Sequence, residues 1–247
     1  GRHLLDPGAH RGPDRLRVLR ARVVVGDHQH VAPGGRGRAH RGALAGVPVT
    51  AGNDATVGGL GEYVFGGGCG ARNLVYVKAA TGIGAGFVIN GAMYRGAAGT
   101  AGEIGHMTIN RSGGQCRCGN RGCLELYAGG EVMLGEARAA GRDWAGLADL
   151  AGAATAGDDL ARTLVERAGR AIGEALGAVA DVYDPDRVLL GGDLADAGHL
   201  FLDPVRGSLR RTGLPRPATV DVRLAELRGM STALGAAAMI LTPAPPS

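Results

Sequence analysis

The stretch from His106 to Cys123, HMTINRSGGQCRCGNRGC, places one imidazole and three thiols within eighteen positions. Zn²⁺ is held tetrahedrally by N and S ligands at about 2.0–2.3 Å, and three Cys with one His form a closed structural set. Gly113, Gly114, Gly119 and Gly122 let the backbone bend tightly enough for His106, Cys116, Cys118 and Cys123 to reach one centre. The competing reading, three reduced thiols buried in a core, fits a polar loop rich in Gly and Arg poorly. Four protein ligands leave a metal no open coordination position, so the set reads as structural zinc and not as a hydrolytic centre. Cys69, the fourth cysteine, stands apart and reads as a small core or loop residue.

One Gly-rich stretch could meet phosphate. In Thr81-Gly82-Ile83-Gly84-Ala85-Gly86 the backbone N–H groups of a turn between two apolar runs can point at anionic oxygens. Gly-rich connections are common, so this stretch is not specific alone. Asn53-Asp54 precedes a helical pattern and reads first as a helix cap.

The elements that must position these groups are legible from about Gly46 onward. Val47 to Thr50 reads as a strand, and Ala55 to Val64 as the helix behind the Asn53-Asp54 cap. Leu74 to Lys78, Ala85 to Ile89 and Ala92 to Arg95 read as strands, the last two joined by an Asn90-Gly91 hairpin turn. Leu124 to Ala140 reads as one helix. A long helix starts at an Asp158 cap and presents Leu160, Leu164, Ala168, Ile172, Leu176 and Val179 on one face until Asp184-Pro185 stops it. Arg187 to Gly191 and Val220 to Leu224 read as buried strands, and Ser231 to Leu241 as a closing helix. Strands alternating with helices predict an α/β fold with a mainly parallel sheet.

Glu103-Ile-Gly-His106 followed by Cys116-Arg-Cys-Gly-Asn-Arg-Gly-Cys-Leu-Glu125 resembles the signature of the ROK family (repressor, open reading frame, kinase), whose members are sugar kinases and sugar-responsive transcriptional repressors. The resemblance runs from about Gly46 to the C-terminus. It implies an actin-like, ribonuclease-H-like ATPase fold, two lobes around a cleft. The large lobe would span 73–230 and hold the zinc loop 106–123. A small lobe, incomplete, would combine 46–72 with the terminal helix region 231–247, and 1–45 would be a basic, irregular segment outside the match. By the same resemblance Asn53, Asp54, Glu103, His106 and Glu125 would bind a sugar, with zinc fixing His106 so that its free ring edge faces the ligand. Asp54 would be the catalytic base of a kinase. Thr81, Gly82, Gly84, Gly191 and Gly192 would contact the nucleotide, and Mg-ATP is implied only for a kinase.

The sequence departs from the kinases in two places. It contains no Asp-x-Gly-Gly-Thr phosphate turn, and it has Asp193 where kinases commonly have a small residue. These departures favour the effector-sensing core of a carbohydrate-responsive repressor, with an ATP-dependent, glucokinase-like hexose kinase as the alternative and a non-functional remnant of either as a third reading. DNA would then be met only through a helix-turn-helix that this sequence does not contain. A homo-oligomer, dimer or tetramer, is implied by the resemblance alone.

Composition sets the outer bounds. The 247 residues are 45% hydrophobic but only 4% aromatic, so the core must rest on Ala, Val and Leu, and 46 Gly follow no G-X-Y period. Residues 1–45 hold nine Arg against three Asp, while the rest hold 18 basic and 20 acidic residues. The only helix-like run in that basic segment is Asp14 to Val25, too little for a helix-turn-helix. Four Cys with no secretory leader ahead of them point to a reducing cytoplasm. The longest apolar run, Met230 to Leu241, is shorter than the ~20 residues that a membrane span needs.

Overall fold

The computed structural model describes residues 22–26, 42–44, 47–214 and 220–241. The chain begins with β1 (Arg22–Gly26), β2 (Gly42–Leu44), β3 (Val47–Asn53) and α1 (Asp54–Phe65), then β4 (Asn73–Ala79), β5 (Ile83–Ile89) and β6 (Ala92–Tyr94). The metal-ligand loop leads into α2 (Glu125–Ala128), α3 (Gly130–Ala139), α4 (Leu147–Ala156) and α5 (Asp159–Tyr183). β7 (Arg187–Gly191), α6 (His199–Thr212), β8 (Asp221–Leu224) and α7 (Ser231–Leu241) complete it.

The larger sheet has the order β6-β5-β4-β7-β8. It is mixed: β4, β7 and β8 are parallel, but β5 is antiparallel to both β4 and β6. The expectation of a mainly parallel sheet fails because the connections around β5 are too short for helical crossovers. Asn90 (φ 49°) and Gly91 (φ 81°) turn the β5–β6 hairpin in two residues, with positive φ at both central positions as such a turn requires. The smaller sheet has the order β1-β3-β2, β1 parallel and β2 antiparallel to β3. Both partners of β3 lie inside 1–45. The end of the supposed Asp14–Val25 helix is therefore strand, since Arg22 to Val25 belong to β1; its earlier part lies outside the described residues.

β4 divides the interior by the two-residue period of a strand. Val75, Val77 and Ala79 face the main core with Leu164, Ile172 and Leu176 of α5, whereas Leu74 and Tyr76 join Val88, Leu189 and Ala225 on the other face. α1 covers that second face: a Cβ on Gly58 would lie 2.9 Å from the Tyr76 ring. Trp144, the only tryptophan, packs half-buried against the main core just ahead of α4.

Few large side chains are available, so helices approach closely at small residues. Gly169, Gly173 and Gly177, four apart on α5, face α6, and a Cβ on Gly173 would come within 2.4 Å of the Val205 carbonyl. α1 and α7 cross at Gly61 and Gly235, where added Cβ atoms would fall 2.1 Å from Ser231 O and 1.8 Å from Val57 O. Beside that crossing the fully buried Glu62 carboxylate accepts from Gly67 N (3.1 Å), Glu226 N (3.2 Å), Leu227 N (2.9 Å) and Ser231 Oγ (2.7 Å). A buried carboxylate is tolerable when its oxygens are filled in this way.

The expected helix Leu124–Ala140 is two helices, α2 and α3, broken at Gly129. Gly129 adopts extended backbone (ψ 142°), and Gly130 N donates to Ala80 O (3.2 Å) and Thr81 O (2.9 Å), pinning α3 against the β4–β5 turn. α5 begins at its Asp158 cap, whose side chain accepts from Ala161 N at 3.0 Å. No helix among the described residues is long and apolar enough to cross a membrane.

Candidate functional site

His106 closes a 3-10 turn, Ile104–His106, that lies along β5. Ala85 N donates to Gly102 O at 2.7 Å, and a Cβ on Gly105 would meet the Ile83 carbonyl at 2.4 Å. The turn therefore sits against the strand through close backbone contact, with Ile104 buried in the same core as Ile83 and Ala85. The loop beyond it is held by paired positions Thr108–Cys123 and Gln115–Arg121 and by Cys116 N donating to Asn120 O at 2.7 Å. Gly122 has φ +63° and presses on the Asn110 carbonyl, leaving no room for a Cβ.

These constraints bring His106, Cys116, Cys118 and Cys123 together, their ligand atoms all within 4.8 Å of one another. His106 Nδ1 lies 3.7 Å from Cys116 Sγ, and Cys118 Sγ lies 3.6 Å from Cys123 Sγ. Tetrahedral bonds of about 2.0–2.3 Å require ligand–ligand edges of roughly 3.5–3.8 Å, so the four residues fit a zinc ion. Burial, then the neighbouring Cys118 and Cys116, pushes the Cys123 thiol up to about 12. Cys118 is lowered: burial opposes this, but hydrogen bonds from the Asn120 backbone and the adjacent cysteines outweigh it.

A cleft of about 680 Å³ opens beside the cluster, a size suited to a small ligand. Asn53, Asp54, Glu103, His106 and Glu125 all line it. Because His106 turns Nδ1 toward Cys116, its Nε2 is the polar atom left for the cleft. Asn53 also caps α1, its Oδ1 accepting from Thr56 N at 3.0 Å, so its amide N–H₂ is the part free to meet a ligand. Asp54 follows as the first residue of α1. Thr81, Gly82 and Gly84 line the same cleft, whereas Gly191 and Gly192 do not. Gly84 and Gly86 have a second task, since added Cβ atoms would lie 3.0 Å from Ala55 Cβ and 2.6 Å from Ala55 O. These glycines seat the start of α1, and with it Asp54, on β5.

Three charged residues of the cleft escaped the sequence reading: Lys78, Arg117 and Glu131. Lys78 Nζ lies 2.5 Å from Asp54 Oδ2, and the Arg117 guanidinium pairs with the Glu125 carboxylate. Lys78 had a signal, because it is even-numbered on β4 like Leu74 and Tyr76 and so shares the α1 face. It is also the only lysine among the chain's 27 Lys and Arg. Glu131 reaches the cleft only because the chain breaks at Gly129, which no periodicity announced.

A sequence profile described as the ROK family matches residues 42–242. The chain belongs to the ROK family. Among relatives, a Streptomyces coelicolor glucokinase is 34% identical over 223 residues, covering 82% of this chain and 70% of the glucokinase. The Bacillus subtilis xylose repressor is also 34% identical, over 163 residues that cover 66% of this chain and 42% of the repressor. Solved structures divide in the same way. A ROK transcriptional regulator, a homologue of the E. coli MLC protein, aligns with TM-score 0.72 at 29% identity over 80% of this chain and 52% of its own. A ROK glucokinase from Streptomyces griseus, in complex with glucose and AMPPNP, aligns with TM-score 0.69 at 33% identity, covering 79% of this chain and 69% of the glucokinase. The actin-like ATPase fold of the ROK family follows, and ROK kinases and ROK repressors are equally at hand as relatives.

Proposed function

We propose that this chain is the sugar-sensing core of a carbohydrate-responsive ROK regulator. The observation that supports it is the convergence of Asn53, Asp54, Glu103, His106 and Glu125 on one cleft. Carboxylates, an amide and an imidazole edge are the groups that exchange several directed hydrogen bonds with hydroxyls. Zinc, held by His106, Cys116, Cys118 and Cys123, is structural in this reading. It fixes the imidazole that the sugar meets and has no open position for chemistry. Contact with DNA would come from a helix-turn-helix outside the described residues, and a homo-oligomer belongs to the same proposal.

One feature favours sensing over phosphorylation. The exposed Asp193 follows Gly192 and puts a negative charge at the turn where a nucleotide would lie. The kinase reading rests on Thr81 and Gly82, which line the same cleft as Asp54 and could bring Mg-ATP to it. A coupled assay with Mg-ATP and a hexose panel tests the choice. Sugar binding by calorimetry without turnover is expected, and robust turnover abolished by Asp54→Asn would overturn the sensor in favour of a kinase.

A further inference from the structure

We propose that Lys78 is a sugar-contacting, specificity-determining residue of the cleft. It grips one oxygen of Asp54 and offers its remaining N–H donors to an adjacent oxygen of the ligand. The inference rests on the sugar-binding reading above and deepens it.

The geometry begins in β4. Lys78 stands between Gly84 of β5 and Gly191 of β7, its partners in the sheet, so neither neighbour has a side chain to crowd its stem. The strand period turns it to the face that α1 covers, and α1 begins there with Asp54. Nζ meets Oδ2 at 2.5 Å, with 26% of the Lys78 side chain and 28% of the Asp54 side chain still accessible. The pair is thus open on one side, toward the cleft that both residues line.

What the pair can read follows from the chemistry of its two ends. An ammonium has three N–H donors, and one is engaged. A carboxylate has two oxygens, and Lys78 engages Oδ2, leaving Oδ1 to accept from a hydroxyl. Donor and acceptor side by side complement two neighbouring oxygens of a sugar, one donating to Asp54 and the other accepting from Lys78. Arginine would behave differently, since its planar fork engages both carboxylate oxygens at once. The other 26 of the 27 Lys and Arg residues in this chain are arginine, and the one that shares Asp54 with a ligand is lysine.

The charge of the cleft limits the ligand class. Asp54, Glu103, Glu125 and Glu131 line it together with Lys78 and Arg117, and each of the two cations is already paired with a carboxylate. Among the described residues the lining carries more carboxylates than cations, which favours a neutral sugar over a sugar phosphate or a sugar acid.

A single lysine makes the test direct. The zinc-loaded protein is first titrated by calorimetry with glucose, xylose and N-acetylmannosamine to find a binder, and then with the monodeoxy analogues of that binder. In the wild type one deoxy position is expected to cost at least tenfold in affinity. In Lys78→Met that penalty should fall to less than threefold while other positions keep theirs, and Lys78→Arg should weaken the parent sugar at least tenfold although charge is kept. Acetylation of Lys78, followed by mass spectrometry against the chain's amino terminus, should slow at least tenfold with sugar bound. Unchanged acetylation, or a Lys78→Met variant with wild-type affinities for the parent and every analogue, would overturn the role of Lys78 and leave the sugar site standing. Absence of any binder, sugar phosphates included, would overturn both; a sugar phosphate as the only binder would overturn the neutral-ligand assignment.

Discussion

The two walls of the cleft are held by different physics. The wall bearing Glu103, His106 and Glu125 is a loop with little core of its own, gathered by one imidazole and three thiols whose ligand atoms lie within 4.8 Å. The wall bearing Asp54 and Lys78 rests on packing: α1 is laid on β5 at Gly84 and Gly86, crossed by α7 at Gly61 and Gly235, and tied down by the buried Glu62. One wall should therefore answer to metal and the other to volume. A ligand spanning both would report on either failure, which allows the two to be separated.

The largest effect is expected at the packed wall. Valine at position 235 would drive its Cβ into the Val57 carbonyl, 1.8 Å away. Overpacking of this kind costs about 3 kcal/mol. Gly235→Val should lower the urea midpoint and abolish sugar binding while zinc content stays near one per chain. Equal stability of variant and wild type would show that the α1–α7 crossing does not hold this wall.

Removing the metal should do the reverse. Chelation, or Cys118→Ser, is expected to weaken sugar binding about a hundredfold, roughly 2.7 kcal/mol, and to loosen residues 112–123 while far-UV circular dichroism is retained. Purified protein without zinc, and indifferent to chelator, would end the account of the loop wall. A smaller change touches one side chain and neither support. Glu103→Ala should cost about tenfold in sugar affinity, about 1.4 kcal/mol, by calorimetry, with zinc content and urea midpoint unchanged; an unchanged affinity would remove Glu103 from the site.

The smallest effect is a dependence on pH far from both walls. The Ala161 N–H at the α5 cap, with help from Arg142 and against some burial, holds Asp158 below the usual carboxylate range. For Asp221 burial pushes upward, but Arg223 and Arg187 prevail and its carboxyl is also lowered. Depressed acids stabilise the fold fully above their unfolded pKa of about 3.9 and lose that contribution as pH falls through the folded values. The urea midpoint should therefore drop between about pH 5 and pH 3, less steeply in Asp158→Asn. A slope identical to wild type would mean that the cap does not contribute.

What could be read from the sequence tracks how local each signal was. The metal ligands lie within eighteen positions, and Asn53-Asp54 adjoins the helix it caps, so both were legible. Lys78 and Asp54 are 24 residues apart, and only the crossing of α1 over β5 brings them into contact. Arg117 stood in the metal loop, but its pairing with Glu125 depends on how that loop folds back on α2. α4 went unseen because LADLAGAATA offers little contrast between faces, and α6 because Pro204 inside it removes an N–H and mimics a stop signal. β1 was taken for the end of a helix because its strand character depends on pairing with Val49 to Asn53, far along the chain.

Trp144 gives the molecule an optical channel of its own. As the only indole in the chain, it packs against the core that α4 and α5 share and is absent from the lining of the cleft. It is therefore placed to report on the large sheet's helical layer rather than on a hydroxyl arriving at Asp54. The unfolding of that layer can therefore be watched by light while the cleft is filled, emptied or stripped of metal, with no label attached.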